Sequence, residues 1–300
     1  MFALAAQQGF CRALFLLGGG KLSLASAPRQ TASVGSTERA PSAAYVILYT
    51  VGVFMVALAT LGWAIDEFGI ATPYSDPIAH TRTQDEAVYV NCAIRMAKDG
   101  DWLTPKLMGR LFLFKPPLLI WLSALSIRIF GLSLFAVRLP ALVLGAAGVA
   151  AAFAWAARAR SLTAGVLAAG VLLCSPFWQT FSRLCYTDVP ASSFAVLALV
   201  MVVFDPQLNS LRTRVGFGCL GAASVLTKSV AGARPFATLF LYSIAMPAER
   251  RTKLLRLAQV LFVAVMVSAP WHVYQALVHP LWFWAGYVQV QSVGMGLRSE

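Results

Sequence analysis

Charge is scarce in this sequence. Only 12% of its 300 residues are Asp, Glu, Lys or Arg, against 59% hydrophobic residues and a mean hydropathy of +0.71. A soluble domain has no room to bury so much apolar surface, so the composition places the chain among helical integral membrane proteins. Acidic residues are scarcer still: 12 against 24 Lys and Arg, for a net charge of +12. No stripe of basic and aromatic residues in a soluble domain accompanies that excess, so no nucleic-acid partner is expected. The cations are those that gather in cytoplasmic loops. The cysteines (Cys11, Cys92, Cys174, Cys185 and Cys219) lack paired metal-ligand spacing and fall mostly in apolar segments. They imply neither a disulfide framework nor a metal cage.

Apolar segments are what the chain has in abundance. Residues 1–42 carry only a short apolar run and then Ser, Thr, Pro and Arg, and form a flexible tail, with a start codon placed too early an equal explanation. From 43 to 300 the chain is expected to be one membrane domain with about seven spans, near 43–65, 137–157, 161–182, 189–204, 215–232, 234–247 and 257–275. The segment 234–247 is short and suits a hairpin with 215–232. Arg158 and Arg160, Arg212 and Arg214, and then Arg250, Arg251, Lys253 and Arg256 flank alternate turns, which makes those loops cytoplasmic. The long loop 66–136 then faces outward, and the segment 276–300 begins outside. An odd number of spans before Glu300 suggests a chain truncated at its C-terminus.

That outer loop is the polar exception. Seven of the twelve carboxylates (Asp66, Glu67, Asp76, Asp85, Glu86, Asp99 and Asp101) lie in it or just before it. Thr83 and Glu86 have the spacing of a capping box, predicting a helix from Gln84 to about Asp99 with Gly100 as its left-handed stop. One polar stripe (Gln84, Asn91, Arg95 and Lys98) on an otherwise apolar helix suits a bilayer surface. Further on, Lys115-Pro116-Pro117 presets the first turn of a second helix that runs to Phe130 and stops at Gly131. At about 21 Å it is short of a bilayer core of about 30 Å and lies in the interface.

Several residues stand out against this background, each with a plainer alternative. Asp85 is a first-turn acid that suits a helix dipole, but its place on the outer face also suits acid-base chemistry. Lys115 either snorkels or, at a helix N-terminus beside the bilayer, holds a phosphate. Asp188, ahead of Val189-Pro190, is a good helix cap, and a site role is compatible with capping. Lys228 is a cation in a long apolar run, and Arg234 lies near the same outer turn. His272 and His279 suit the interface rather than a metal, and Trp102, Trp121 and Trp271 suit an aromatic belt.

The order of motifs carries a resemblance. Asp85-Glu86, Gly100-Asp101-Trp102 with Pro105 and Gly109, KPPLLIW at 115–121, Phe130-Gly131, RLPAL at 138–142, TDVP at 187–190, LTK at 226–228 and Pro270-Trp271 follow one another between 85 and about 275. This series resembles the membrane glycosyltransferases of the aminoarabinose transferase and protein O-mannosyltransferase superfamily, which take a sugar from a polyprenyl-phosphate carrier. The resemblance implies a C-type glycosyltransferase fold, all-α, with amphipathic juxtamembrane helices in the first outer loop. It also implies a multi-pass protein of the plasma (inner) membrane and an inverting sugar transfer at the periplasmic face. By position, Asp85 and Asp188 are the expected catalytic acids and Lys115 and Lys228 the expected carrier-phosphate ligands. Glu86, Arg234, His272 and Arg298 are further candidates. Phe114 stands where many relatives have an acid before the lysine, which leaves a divalent cation unassigned. The implied partners are a polyprenyl-phosphate sugar, membrane lipid, and an acceptor that is a lipid, glycan or protein. A transporter or flippase would instead need inverted repeats, and none is visible. A truncated non-catalytic lipid-binding subunit is the third reading.

Overall fold

The computed structural model describes residues 42–66, 85–245 and 250–289. The tail, the first part of the outer loop with Thr83 and Gln84, and Arg298 therefore lie outside the described residues. Helix α1 (Ala43–Gly62) begins at a Ser42 cap and is followed by the loop helix α2 (Asp85–Asp99). A two-residue hairpin, β1 (Lys106–Leu107) with β2 (Arg110–Leu111), turns through Met108 and Gly109, both at positive φ. Helix α3 (Leu118–Phe130) starts behind Pro117 and ends at Gly131, whose φ of +81° puts it in the left-handed region.

The bundle follows: α4 (Leu134–Ala159), α5 (Leu162–Cys174), α6 (Pro176–Arg183), α7 (Asp188–Phe204), α8 (Leu211–Lys228), a 3-10 turn (Ser229–Ala233), α9 (Arg234–Ala245) and α10 (Arg250–Val278). A turn at Pro280–Trp282 and a π-helical segment, Phe283–Gln289, close the described chain. Helix α4 is central, packed against α1, α3, α5 and α7, while α8 lies between α7 and α10. Small residues permit these approaches. A Cβ on Gly145 would stand 2.4 Å from Ser182 Oγ, and one on Gly148 would stand 2.4 Å from Ser193 Oγ.

All seven expected segments are helical, but fewer meet the length and composition of a complete span. Four do among the described residues: 43–62, 134–159, 211–245 taken together, and 250–278. A fifth follows if α5 and α6, bent by 67° at Ser175, are one broken span. Pro176 explains the break, since it lacks the N–H needed to continue α5. The stretch 211–245 is not straight. Phe236 packs on Phe217, Arg234 reaches Ser192 near the start of α7, and Tyr242 reaches Pro206 just beyond its end. Helix α9 therefore runs back along α8, as the hairpin expectation required.

One expectation about α2 changes. Its apolar face, with Tyr89, Val90, Cys92, Ala93 and Met96, is buried on Phe112, Leu119, Ile120 and Ala124 rather than laid on a bilayer. Glu86, expected as a capping acid, lies in the interior. Arg138 Nε and Nη2 donate to its two carboxylate oxygens at 2.8 and 3.0 Å, and both side chains are 0% exposed. The Cys185 N–H also donates to Glu86, and Arg138 Nη1 donates to the Ile65 carbonyl. A carboxylate at 86 and a guanidinium at 138 thus tie together α2, α4, the end of α1 and the loop that leads into α7.

Candidate active site

Four segments deliver the polar residues to one place. Asp85 opens α2, Lys115 precedes the two prolines that start α3, Asp188 opens α7, and Lys228 ends α8. Lys228 Nζ donates to Asp188 Oδ1 in a half-buried ion pair. Asp85 is close enough to Lys115, Asp188 and Lys228 to feel all three charges. Both carboxylates and both cations that the sequence singled out therefore form one cluster, although 143 residues separate Asp85 from Lys228.

The environment acts on each member differently. Burial pushes the Asp85 carboxyl above its ordinary range, and Asp188 adds to that, while Lys115 pulls the other way. Burial lowers the pKa of the Lys115 ammonium, reinforced by Lys228 and opposed by Asp85 and Asp188. Among the described residues Lys115 has no ion-pair partner. It is thus a partly desolvated cation free to meet an anion, whereas Lys228 is already engaged by Asp188. Lys115 is therefore the cluster cation without an ion-pair partner among the described residues, and Lys228 neutralises Asp188.

Two residues the sequence reading passed over complete the cluster. The Tyr89 side chain hydrogen-bonds with Asp85 and with Thr187, which immediately precedes Asp188. Burial and then the Asp85 charge push the Tyr89 phenol well above its ordinary range, so it stays a hydrogen-bond donor. The signal was present: Tyr89 is four residues after Asp85 and shares its face of the helix. Its apolar neighbours on α2 mask that signal.

The remaining candidates divide. Arg234 is exposed and donates to Ser192 Oγ at 3.2 Å, one turn along α7 from Asp188, so it stands beside the cluster. His272 is held by its own helix: Nδ1 meets the Ser268 carbonyl at 2.7 Å, which fixes the proton on Nδ1 and leaves Nε2 to accept from the Tyr287 hydroxyl at 2.8 Å. Tyr287 in turn bonds Ser229, the residue after Lys228. His272 is therefore a brace for the segment 283–289 beside the cluster. The His279 backbone donates to the Gln275 carbonyl and accepts from the Phe283 N–H, in the turn beyond α10. Trp271 and Trp121 both reach the outer loop. Trp271 is 3% exposed and donates through Nε1 to the Leu103 carbonyl at 3.0 Å, and Trp121 donates to the Trp102 carbonyl. Both tryptophans anchor the GDW loop. Phe114 packs on Phe112, and no group of three His, Cys, Asp or Glu side chains occurs among the described residues. Asp85 and Asp188 alone do not make a protein cage for a divalent cation.

Comparison with known proteins bears on the fold and the family. Two crystal structures of ArnT from Cupriavidus metallidurans, one bound to undecaprenyl phosphate and one in the apo state, superpose with TM-scores of 0.63 and 0.61. Each is 20% identical in sequence, with 80% of this chain and 43% of the ArnT chain covered. The fold is thus the C-type glycosyltransferase fold, and this chain spans less than half the length of the solved relative. No curated protein sequence matches. The family model described as dolichyl-phosphate-mannose-protein mannosyltransferase matches residues 114–292, which include Lys115, Asp188 and Lys228. With that match over more than half of its length, the chain belongs to the dolichyl-phosphate-mannose-protein mannosyltransferase family of membrane glycosyltransferases.

Proposed function

We propose that this protein transfers a sugar from a polyprenyl-phosphate carrier to an acceptor at the periplasmic face of the plasma (inner) membrane, with inversion at the anomeric carbon. The observation that carries the reading is the convergence of Asp85, Lys115, Asp188 and Lys228 from four segments into one half-buried cluster. Family membership and the undecaprenyl phosphate named for the ArnT structure support a lipid-phosphate donor.

Each residue has a task in the transfer. The acceptor nucleophile attacks the anomeric carbon and gives up its proton to the Asp85 carboxylate, whose raised pKa makes it a better base than an exposed aspartate. The bond from the anomeric carbon to the phosphate oxygen breaks, and its electrons leave with the polyprenyl phosphate. Lys115 receives that growing negative charge from a setting with little competing water. Tyr89, bonded to Asp85 and Thr187, orients the base. Asp188 lines the same space, with its charge balanced by Lys228.

Sugar transfer by Asp85→Asn tests the reading. The variant removes the base while keeping the side-chain volume and a hydrogen-bond partner for Tyr89. Turnover should fall by about a hundredfold or more with the melting temperature kept within a few degrees. Unchanged turnover would remove Asp85 from the mechanism.

A further inference from the structure

Two surface cavities lie far from the cluster, at the other end of the bundle. A hollow of about 610 Å3 opens between the start of α8 and the second to fourth turns of α10, lined by Leu211, Arg214, Val215, Leu255, Ala258 and Phe262 among others. A second, of about 490 Å3, is lined by Arg250, Arg251, Leu254 and Leu255. Leu255 is common to both, so they form one apolar trough with arginines at its rim. Arg214 is fourteen residues before Lys228 on α8, which places the trough about 21 Å along the helix from the cluster.

Among the described residues the charge there is unbalanced. Arg212, Arg214, Arg250, Arg251, Lys253 and Arg256 crowd the first turns of two helices, neither of which has an acid in its first turn. Cations at helix N-termini oppose the helix dipole, so this placement is unfavourable unless an anion accompanies it. Within the described residues the neighbouring acid is Asp205. It is already occupied by the N–H groups of Asn209 and Ser210 and acts on Arg256. Arg214 uses Nη1 on the carbonyls of Leu208 and Asn209, while its Nε is buried without a partner. Arg250 and Arg251 are exposed and pair with no acid among the described residues.

We infer that this trough is a binding site for an anionic glycerophospholipid of the leaflet opposite the active site. Its acyl chains lie along Leu211, Val215, Leu255 and Phe262, and its phosphate meets Arg214, Arg250 and Arg251. A zwitterionic lipid fills the same hollow but brings a compensating cation to a rim that already has too many. The site needs no sugar chemistry, so it stands or falls independently of the proposed transfer.

The test is native mass spectrometry of the purified protein with phosphatidylglycerol or phosphatidylcholine. The site predicts one tightly retained phosphatidylglycerol and at least tenfold weaker phosphatidylcholine. Arg250→Gln with Arg251→Gln should weaken the anionic lipid by about 25-fold, about fivefold for each cation removed. Ala258→Trp, which fills the hollow and leaves every charge in place, should expel the lipid as well. Melting temperatures near wild type confirm that both variants fold. Equal retention of the two lipids, unaltered phosphatidylglycerol binding in both variants, or no retained lipid at all would each overturn the inference.

Discussion

At the scale of single residues, the cluster sets a pH dependence. Because burial raises the Asp85 pKa, its basic form is lost on acidification at a higher pH than for an exposed aspartate, so kcat/KM should fall on an acid limb displaced upward. Because burial and Lys228 lower the Lys115 pKa, phosphate binding should weaken on the basic side below the ordinary lysine range. Lys115→Arg retains a cation that does not deprotonate in that range, so the basic limb should move up or vanish while the acid limb stays in place. A pH-rate profile of both proteins checks this. Coincident basic limbs would take Lys115 out of carrier binding. Asp85, Lys115, Asp188 and Lys228 were legible in the sequence because a charge is conspicuous in so apolar a chain. Tyr89 and Trp271 were not. An aromatic residue fits core, belt and site equally well, and Trp271 finds its acceptor 168 residues away at Leu103.

At the scale of elements, the Glu86 and Arg138 pair is what sets α2 against α4 and the loop before α7. Both charges are fully enclosed, so Glu86→Gln leaves Arg138 without its balancing charge and should destabilise the fold by about 3–5 kcal/mol. Thermal melting of the variant measures that, and a near-neutral result would mean that water reaches the pair. The α8–α9 hairpin has a similar single point of failure. A Cβ on Gly232 would lie 2.1 Å from the Ser224 carbonyl oxygen, a backbone atom that cannot rotate away. Gly232→Ala should therefore open the turn after Lys228, lowering both the melting temperature and sugar transfer; wild-type values for both would contradict the close packing of that turn. The end of α2 at Asp99 and the bounds of α3 were legible in Gly100, Pro117 and Gly131, since these residues act within one turn of chain. The fate of Glu86 was not. Its spacing from Thr83 matched a local cap, and its partner Arg138, the first residue of the RLPAL motif, is 52 residues away.

At the scale of the whole molecule, helix direction separates two chemistries. The cluster sits where α7 begins and α8 ends, and the arginine-rich rim sits where α8 and α10 begin. With the five native cysteines replaced by Ala, a cysteine at Met108 should react with a membrane-impermeant thiol reagent in intact cells. A cysteine at Arg251 should react only after permeabilisation. Labelling of both from the same side would contradict the orientation drawn from the charge of the loops. Hydropathy made each helical segment legible. The shortness of 234–247 already suited the fold-back of α9 along α8, but hydropathy did not show that α5 breaks into α6 at Pro176, where the proline removes a backbone donor without interrupting the apolar run.

The most direct measurement is native mass spectrometry of the purified protein with undecaprenyl phosphate, comparing wild type with Lys115→Ala. One bound carrier in the wild type, lost or at least tenfold weaker in a variant that still folds, is the predicted result. Carrier retained equally by both proteins, or bound by neither, would contradict the assignment of this cluster as the site of a lipid-phosphate glycosyltransferase.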